Sequence, residues 1–273
     1  MKFLVFCLPV IFCIAPLKAM AESSAPVNMT VSLLPLKSMI QFIAGESGSL
    51  SVMVKPGHSP ETYEPTPHEM NRLQKTKIFF AAGVPFEKSW LPKLQKLVPN
   101  LQVVPLGVQN PDLDPHWWTS PLEMARAGRI VAEVLSSRDP KNASVFEGRA
   151  ATWSQQMQQL HDKLSQLFSG MGPSNSFVVY HPAWSHFAKA YGLNQVAIES
   201  HGKEPGPKDL VSTIEWAKKK KVDTIFIQKQ FSKKSASAVA DALGAKLVDL
   251  DPLAENFAEN LWQAGMAIKK GLR

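Results

Sequence analysis

Along this chain, short apolar or alternating runs take turns with stretches of helical spacing. Residues 27–33 alternate apolar and polar and predict a strand, and Pro35 opens a helix to about Ala44. Strands are predicted at 50–54, 78–82 and 101–106, with a helix at 69–75. Residues 121–136 form a strong amphipathic helix, with Met124, Ile130, Val131 and Val134 on or near one face. Strand and helix alternate, which predicts an α/β domain with a mainly parallel sheet.

The middle of the chain follows another rule. Phe146, Ala150, Trp153, Met157, Leu160, Leu164 and Leu167 are spaced 4-3-4-3-4-3, a continuous seam on one helix. At 1.5 Å per residue such a helix is roughly 35–40 Å long. Asp139-Pro140 supplies a start, and Gly170, Gly172 and Pro173 a stop. The seam suits a coiled-coil dimer or one helix packed along its own protein. Its few heptads favour the second. Alternation then resumes, with strands at 176–180, 195–199, 224–228 and 246–249 and helices at 182–190, 207–220, 232–243 and 256–272. The expected layout is a 22–139 lobe, a linking helix at 140–172 and a 173–273 lobe. This is an α/β fold of two mainly parallel-sheet lobes joined by one long helix.

The first residues change the picture of compartment. Lys2 precedes an apolar segment at 3–16, too short to span a bilayer, and Ala19-Met20-Ala21 fits a signal-peptide cleavage site. Residues 1–21 are expected to be removed, which places the mature chain in the periplasm. Both cysteines, Cys7 and Cys13, lie in that segment, and neither sits in a lipobox-like position. The mature protein therefore has neither disulfide nor thiolate chemistry. The formal charge of +7 falls to +5 without Lys2 and Lys18. The lysine clusters at 218–221 and 233–234 fall at helix ends, which argues against a nucleic-acid surface.

Chemistry is carried by histidines and carboxylates. His58 and Glu61 follow the strand ending near Val54, His116 the strand ending near Leu106, His181 the strand at 176–180, and Asp251 the strand at 246–249. Ligands of open α/β sheets bind outside the carboxyl ends of strands, so donors from both lobes would meet in the cleft between them. Nitrogen and oxygen donors without sulfur suit zinc, manganese or iron. His68, His161 and His186 read as ordinary helical histidines, while His201 lies in a loop at 199–205 that could close over the cleft. Trp117, Trp118 and Trp184 flank the candidate ligands, either to keep them dry or simply to pack the core.

The stretches Pro56-Gly57-His58-Ser59-Pro60-Glu61, Asp114-Pro115-His116-Trp117-Trp118, Tyr180-His181-Pro182-Ala183-Trp184, Gly202-Lys203-Glu204-Pro205 and Leu250-Asp251-Pro252-Leu253 occur in that order across nearly the whole mature chain. They resemble the metal-binding receptors of zinc and manganese ABC importers, the ZnuA/TroA-like cluster. The resemblance implies two α/β lobes on a rigid long helix, and a ligand set of three histidines and one carboxylate. His116, His181 and Asp251 match three of the four. The fourth departs, because the family usually has Pro-His where this chain has Pro60-Glu61. Glu61 could coordinate in its place, His58 could swing in, or water could complete a three-ligand site. Neutral imidazole suits zinc and favours His58. The acidic His-rich loop of some zinc receptors is missing, since the segment at 107–113 is short.

The resemblance implies a monomeric periplasmic receptor that catalyses nothing. It would capture zinc foremost, with manganese or iron as alternatives, and hand it to an ABC membrane permease. A secreted metal-dependent hydrolase, with Glu61 or Glu204 as base, competes, but no His-Glu-x-x-His motif is present. A metal-loaded adhesin or zinc chaperone is the third reading.

Overall fold

The computed structural model describes residues 27–107, 114–172, 175–199, 207–231 and 233–272; the expected signal segment, His201 and Glu204 lie outside them. Four helices of the first half start on a proline in the first turn. Proline has no amide hydrogen to leave unpaired there. The first lobe runs β1 (Val27–Val31), α1 (Leu34–Ala44), β2 (Gly48–Val52), α2 (Pro67–Leu73), β3 (Ile78–Ala81), α3 (Pro85–Leu97), β4 (Gln102–Pro105) and α4 (Pro121–Arg138). Its strands are all parallel, in the order β2-β1-β3-β4.

The second lobe contains β5 (Ser176–Val179), α6 (Ser185–Ala190), β6 (Asn194–Ala197), α7 (Pro207–Lys219), β7 (Thr224–Ile227), α8 (Lys233–Leu243), β8 (Lys246–Asp249) and α9 (Phe257–Gly271). Its parallel sheet has the order β6-β5-β7-β8, the same topology as the first. Central strands covered on both faces read as continuous apolar runs, as in the fully buried Ile78-Phe79-Phe80-Ala81 of β3.

Helix α3 is absent from the sequence reading. Pro92, which lies inside the helix, reads against one. Phe86 and Leu94 are buried and Trp90 and Leu91 pack on the core, so tertiary burial outweighs one missing helical hydrogen bond.

The long helix α5 (Ala143–Leu167) decides between the two readings of its seam. Phe146, Ala150, Trp153, Met157, Leu160 and Leu164 are buried within the same chain, against α1 and α4 of the first lobe and α9 of the second. One glycine in each lobe permits the close approach. A Cβ on Gly128 of α4 would meet the Trp153 ring at 2.8 Å, and one on Gly265 of α9 would collide with a Leu164 methyl. The Trp153 indole also donates to the Met124 carbonyl at 3.1 Å. Among the described residues no helix is long and apolar enough to cross a membrane.

Trp153→Ala removes a ring and a hydrogen bond from the junction of α4 and α5. We expect a loss of about 3–5 kcal/mol, seen as a lower urea midpoint with unchanged far-ultraviolet dichroism.

Candidate metal centre

Each candidate side chain hangs from a loop at the carboxyl end of a strand. After β2 the chain stays bonded to the first lobe, Met53 N donating to Val31 O at 2.9 Å and Val54 N to Ser32 O at 3.0 Å. It then turns through Gly57, whose φ of +85° is open to glycine at little cost. Phe86 N donates to Pro60 O at 3.4 Å, and the buried Tyr63 ring meets Phe86 edge-on at 5.2 Å. Between these anchors Glu61 turns inward. His58 is exposed, with its ring edge-on to Tyr63 at 6.1 Å.

His116 is held by its own neighbours. Asp114 Oδ1 accepts from His116 N at 3.0 Å and lies 2.5 Å from its Nδ1. Trp117 and Trp118, both buried, form the short 3-10 turn that follows. The Trp117 indole donates to Ala82 O at 2.7 Å, so the turn sits on the end of β3. Gly107 leaves room for that ring, since a Cβ there would collide with the indole nitrogen and come within 2.7 Å of Ala82 O. Trp118 donates to Pro252 O at 2.8 Å, reaching the second lobe.

His181 directly follows Tyr180 at the exit of β5. Its Nδ1 lies 2.5 Å from Glu199 Oε1, beyond β6, and both side chains are buried. Its carbonyl accepts from Gln228 at 3.4 Å, and its ring stacks on Phe231 at 4.7 Å. The remaining nitrogen, Nε2, lies 3.0 Å from Glu61 Oε1 and 3.4 Å from His116 Nε2. One donor atom each from Glu61, His116 and His181 thus falls within a 4.8 Å group.

The electrostatics follow from that geometry. Burial disfavours the His181 imidazolium, but hydrogen bonds to Glu199 and Glu61, and their charges, raise its pKa to about 9. Burial likewise opposes ionisation of Asp114, yet His116 and the Ser185 hydroxyl hold its carboxyl down at about 2. Glu199 and Glu61 therefore favour positive charge at the His181 ring.

Asp251 stands outside the three-donor group. Its Oδ1 accepts from Leu253 N at 2.9 Å and Gln230 Nε2 at 3.4 Å, and its carbonyl from Asn260 at 2.7 Å. His58 also lies outside the group. His186 Nε2 donates to Asp114 O at 2.9 Å and is a tether. His161, read as an ordinary helical histidine, packs on Tyr191 with ring centres 5.5 Å apart.

A family model described as the periplasmic zinc-uptake complex component A, ZnuA, matches residues 29–267. The chain belongs to this family. A crystal structure of ZnuA is similar to it with a TM-score of 0.86 at 31% identity, covering 91% of this chain and all of that one. The zinc-binding lipoprotein AdcA of Streptococcus pneumoniae is 25% identical over 269 residues, covering 89% of this chain and 53% of AdcA. The manganese-binding lipoprotein MntA of Halalkalibacterium halodurans is 23% identical over 239 residues, covering 83% of this chain and 79% of MntA. The chain spans about half the length of AdcA.

In this member of the ZnuA family the ends of β1 and β3 rest on a buried polar group. Glu87 of α3 accepts from Ala82 N and Gly83 N at 2.8 Å each and from the Ser32 hydroxyl, joining the ends of β1 and β3. Burial raises its pKa to about 7 against the pull of those donors. The folded state holds this proton more tightly than the unfolded chain. The stabilisation is complete below pH 4.5 and is lost as pH rises through about 7. Chemical denaturation between pH 4.5 and 7 should show stability falling by on the order of 3 kcal/mol from this group. In Glu87→Leu that component of the slope should vanish.

Proposed function

We propose that this chain is a periplasmic solute-binding protein that captures a divalent transition metal in the cleft between its lobes. The captured ion, zinc foremost, passes to an ABC membrane permease. The observation that carries the reading is the meeting of Glu61, His116 and His181, donors from both lobes, within 4.8 Å. Membership of the zinc-uptake family and the names of AdcA and ZnuA support it. In this reading the metal is cargo and nothing is catalysed. The protein works as a monomer and binds no nucleic acid.

Glu61 takes the fourth position, where the resemblance implies histidine, and Asp251, at the exit of β8, completes the set. His58 is left out because its ring lies against Tyr63 on the surface. Two imidazoles and two carboxylates are a harder donor set than three imidazoles and one carboxylate. That shift, with the similarity to MntA, favours manganese as the second reading for the cargo. Direct competition between zinc and manganese, followed by metal analysis of the loaded protein, separates the two.

Glu61→Ala should weaken zinc binding by more than about 100-fold, the upper end for groups that merely orient a ligand. His58→Ala should leave it nearly unchanged. The opposite ranking, measured by chelator competition, would return the fourth position to His58.

A cation at His181 Nε2 must displace the proton held there. Zinc affinity should rise with pH up to about 9. Calorimetry in buffers of different ionisation enthalpy should count one proton released at neutral pH. Release of none would show that the His181 ring is already neutral before the ion binds.

A further inference from the structure

Ligand lists stop at the atoms that touch the ion, but two further carboxylates here are built into the site. Glu199 Oε1 and Asp114 Oδ1 stand 2.5 Å from His181 Nδ1 and His116 Nδ1 respectively. Glu199 and both histidines are buried. A carboxylate only accepts, so each Nδ1 keeps its hydrogen, and a neutral imidazole then has its lone pair on Nε2. Those two Nε2 atoms are the pair that lie 3.4 Å apart in the donor group. Asp114 does more. Its Oδ2 accepts from the Ser185 hydroxyl at the start of α6, and its carbonyl meets His186 Nε2 at 2.9 Å. It therefore ties the His116 loop of the first lobe to the helix that follows His181 in the second.

We infer that Glu199 and Asp114 are positioning residues of the metal site. Each fixes one imidazole so that its Nε2 faces the same point, and Asp114 also clamps the two imidazoles together across the cleft through Ser185. The inference rests on the metal-binding reading above. In it, Glu199 acts within one lobe and governs a single ring. Asp114 acts on both lobes and governs the distance between rings, so its loss should speed release of the ion as well as weaken capture. Changing groups that orient a metal-bound histidine typically costs 10–100-fold in affinity, roughly the size expected for Glu199→Ala and Asp114→Ala.

The test uses the mature chain and zinc alone. Affinity is read by chelator competition, release by stopped-flow transfer to excess chelator, and ring tautomers by nitrogen-15 spectra of the zinc-loaded protein. The loaded wild type should show protonated Nδ1 and metal-bound Nε2 on both rings. Glu199→Gln, which keeps an acceptor, should recover most of the affinity lost in Glu199→Ala. Ser185→Ala should raise the release rate while leaving both tautomers in place. If the alanine variants fail to fold, the tautomer spectra and the Gln and Ser185 variants still decide. Zinc bound through Nδ1, or folded alanine variants that bind and release like the wild type, would overturn the inference. A wild type that takes up neither zinc nor manganese would overturn the metal-binding reading itself.

Discussion

The structure depends on the packing of α5 between the two lobes. A helix of 25 residues buries one face against α1 and α4 on one side and α9 on the other. Close approach needs glycine at both contacts, Gly128 beneath Trp153 and Gly265 beneath Leu164. Dispersion and burial act over the whole seam, so the separation of the lobes is set by a packed core. Two smaller ties reinforce it at the mouth, Trp118 to Pro252 and Lys37 to Glu255. The exposed salt bridge adds little, whereas the buried indole hydrogen bond is expensive to lose.

With the lobes so placed, the cleft becomes an electrostatic problem. Two buried imidazoles face each other, their Nε2 atoms 3.4 Å apart. The chain answers with carboxylates: Asp114 on one ring, Glu199 on the other, and Glu61 between the free edges. Together they make a pocket of negative charge lined by aromatic side chains, in which a dication or a proton is the natural occupant. The low local polarity contributed by Trp118 and Phe231 strengthens every term. In the proposed reading an incoming ion competes with a proton for His181.

The fold was legible because its signals were local and repeated. Period-2 and continuous apolar runs marked eight strands near their final places, and the 4-3 seam marked α5. Helix α3 was not legible, since Pro92 in its interior carries a helix-breaking signal that only burial against the core overrides. The identical strand order of the two lobes was also hidden, because equal topology needs no equal residues.

At the site, the sequence by itself determined the candidates: His116 and His181 at strand exits, Glu61 and His58 in one turn, Asp251 beyond β8. Strand position is encoded in periodicity, and a residue just past a strand must lie at its carboxyl end. Tertiary structure alone decided which of them meet. Gly57, Pro60 and Tyr63 set the rotation of the loop, so Glu61 faces the imidazoles and His58 faces water. It also brought in Glu199 and Ser185, whose roles exist only across 18 and 71 residues of separation. The Asp-x-His spacing of Asp114 and His116 was the single local hint of this layer. A hydrogen bond between distant residues leaves no mark in local spacing, because nothing short of the folded chain brings its partners together.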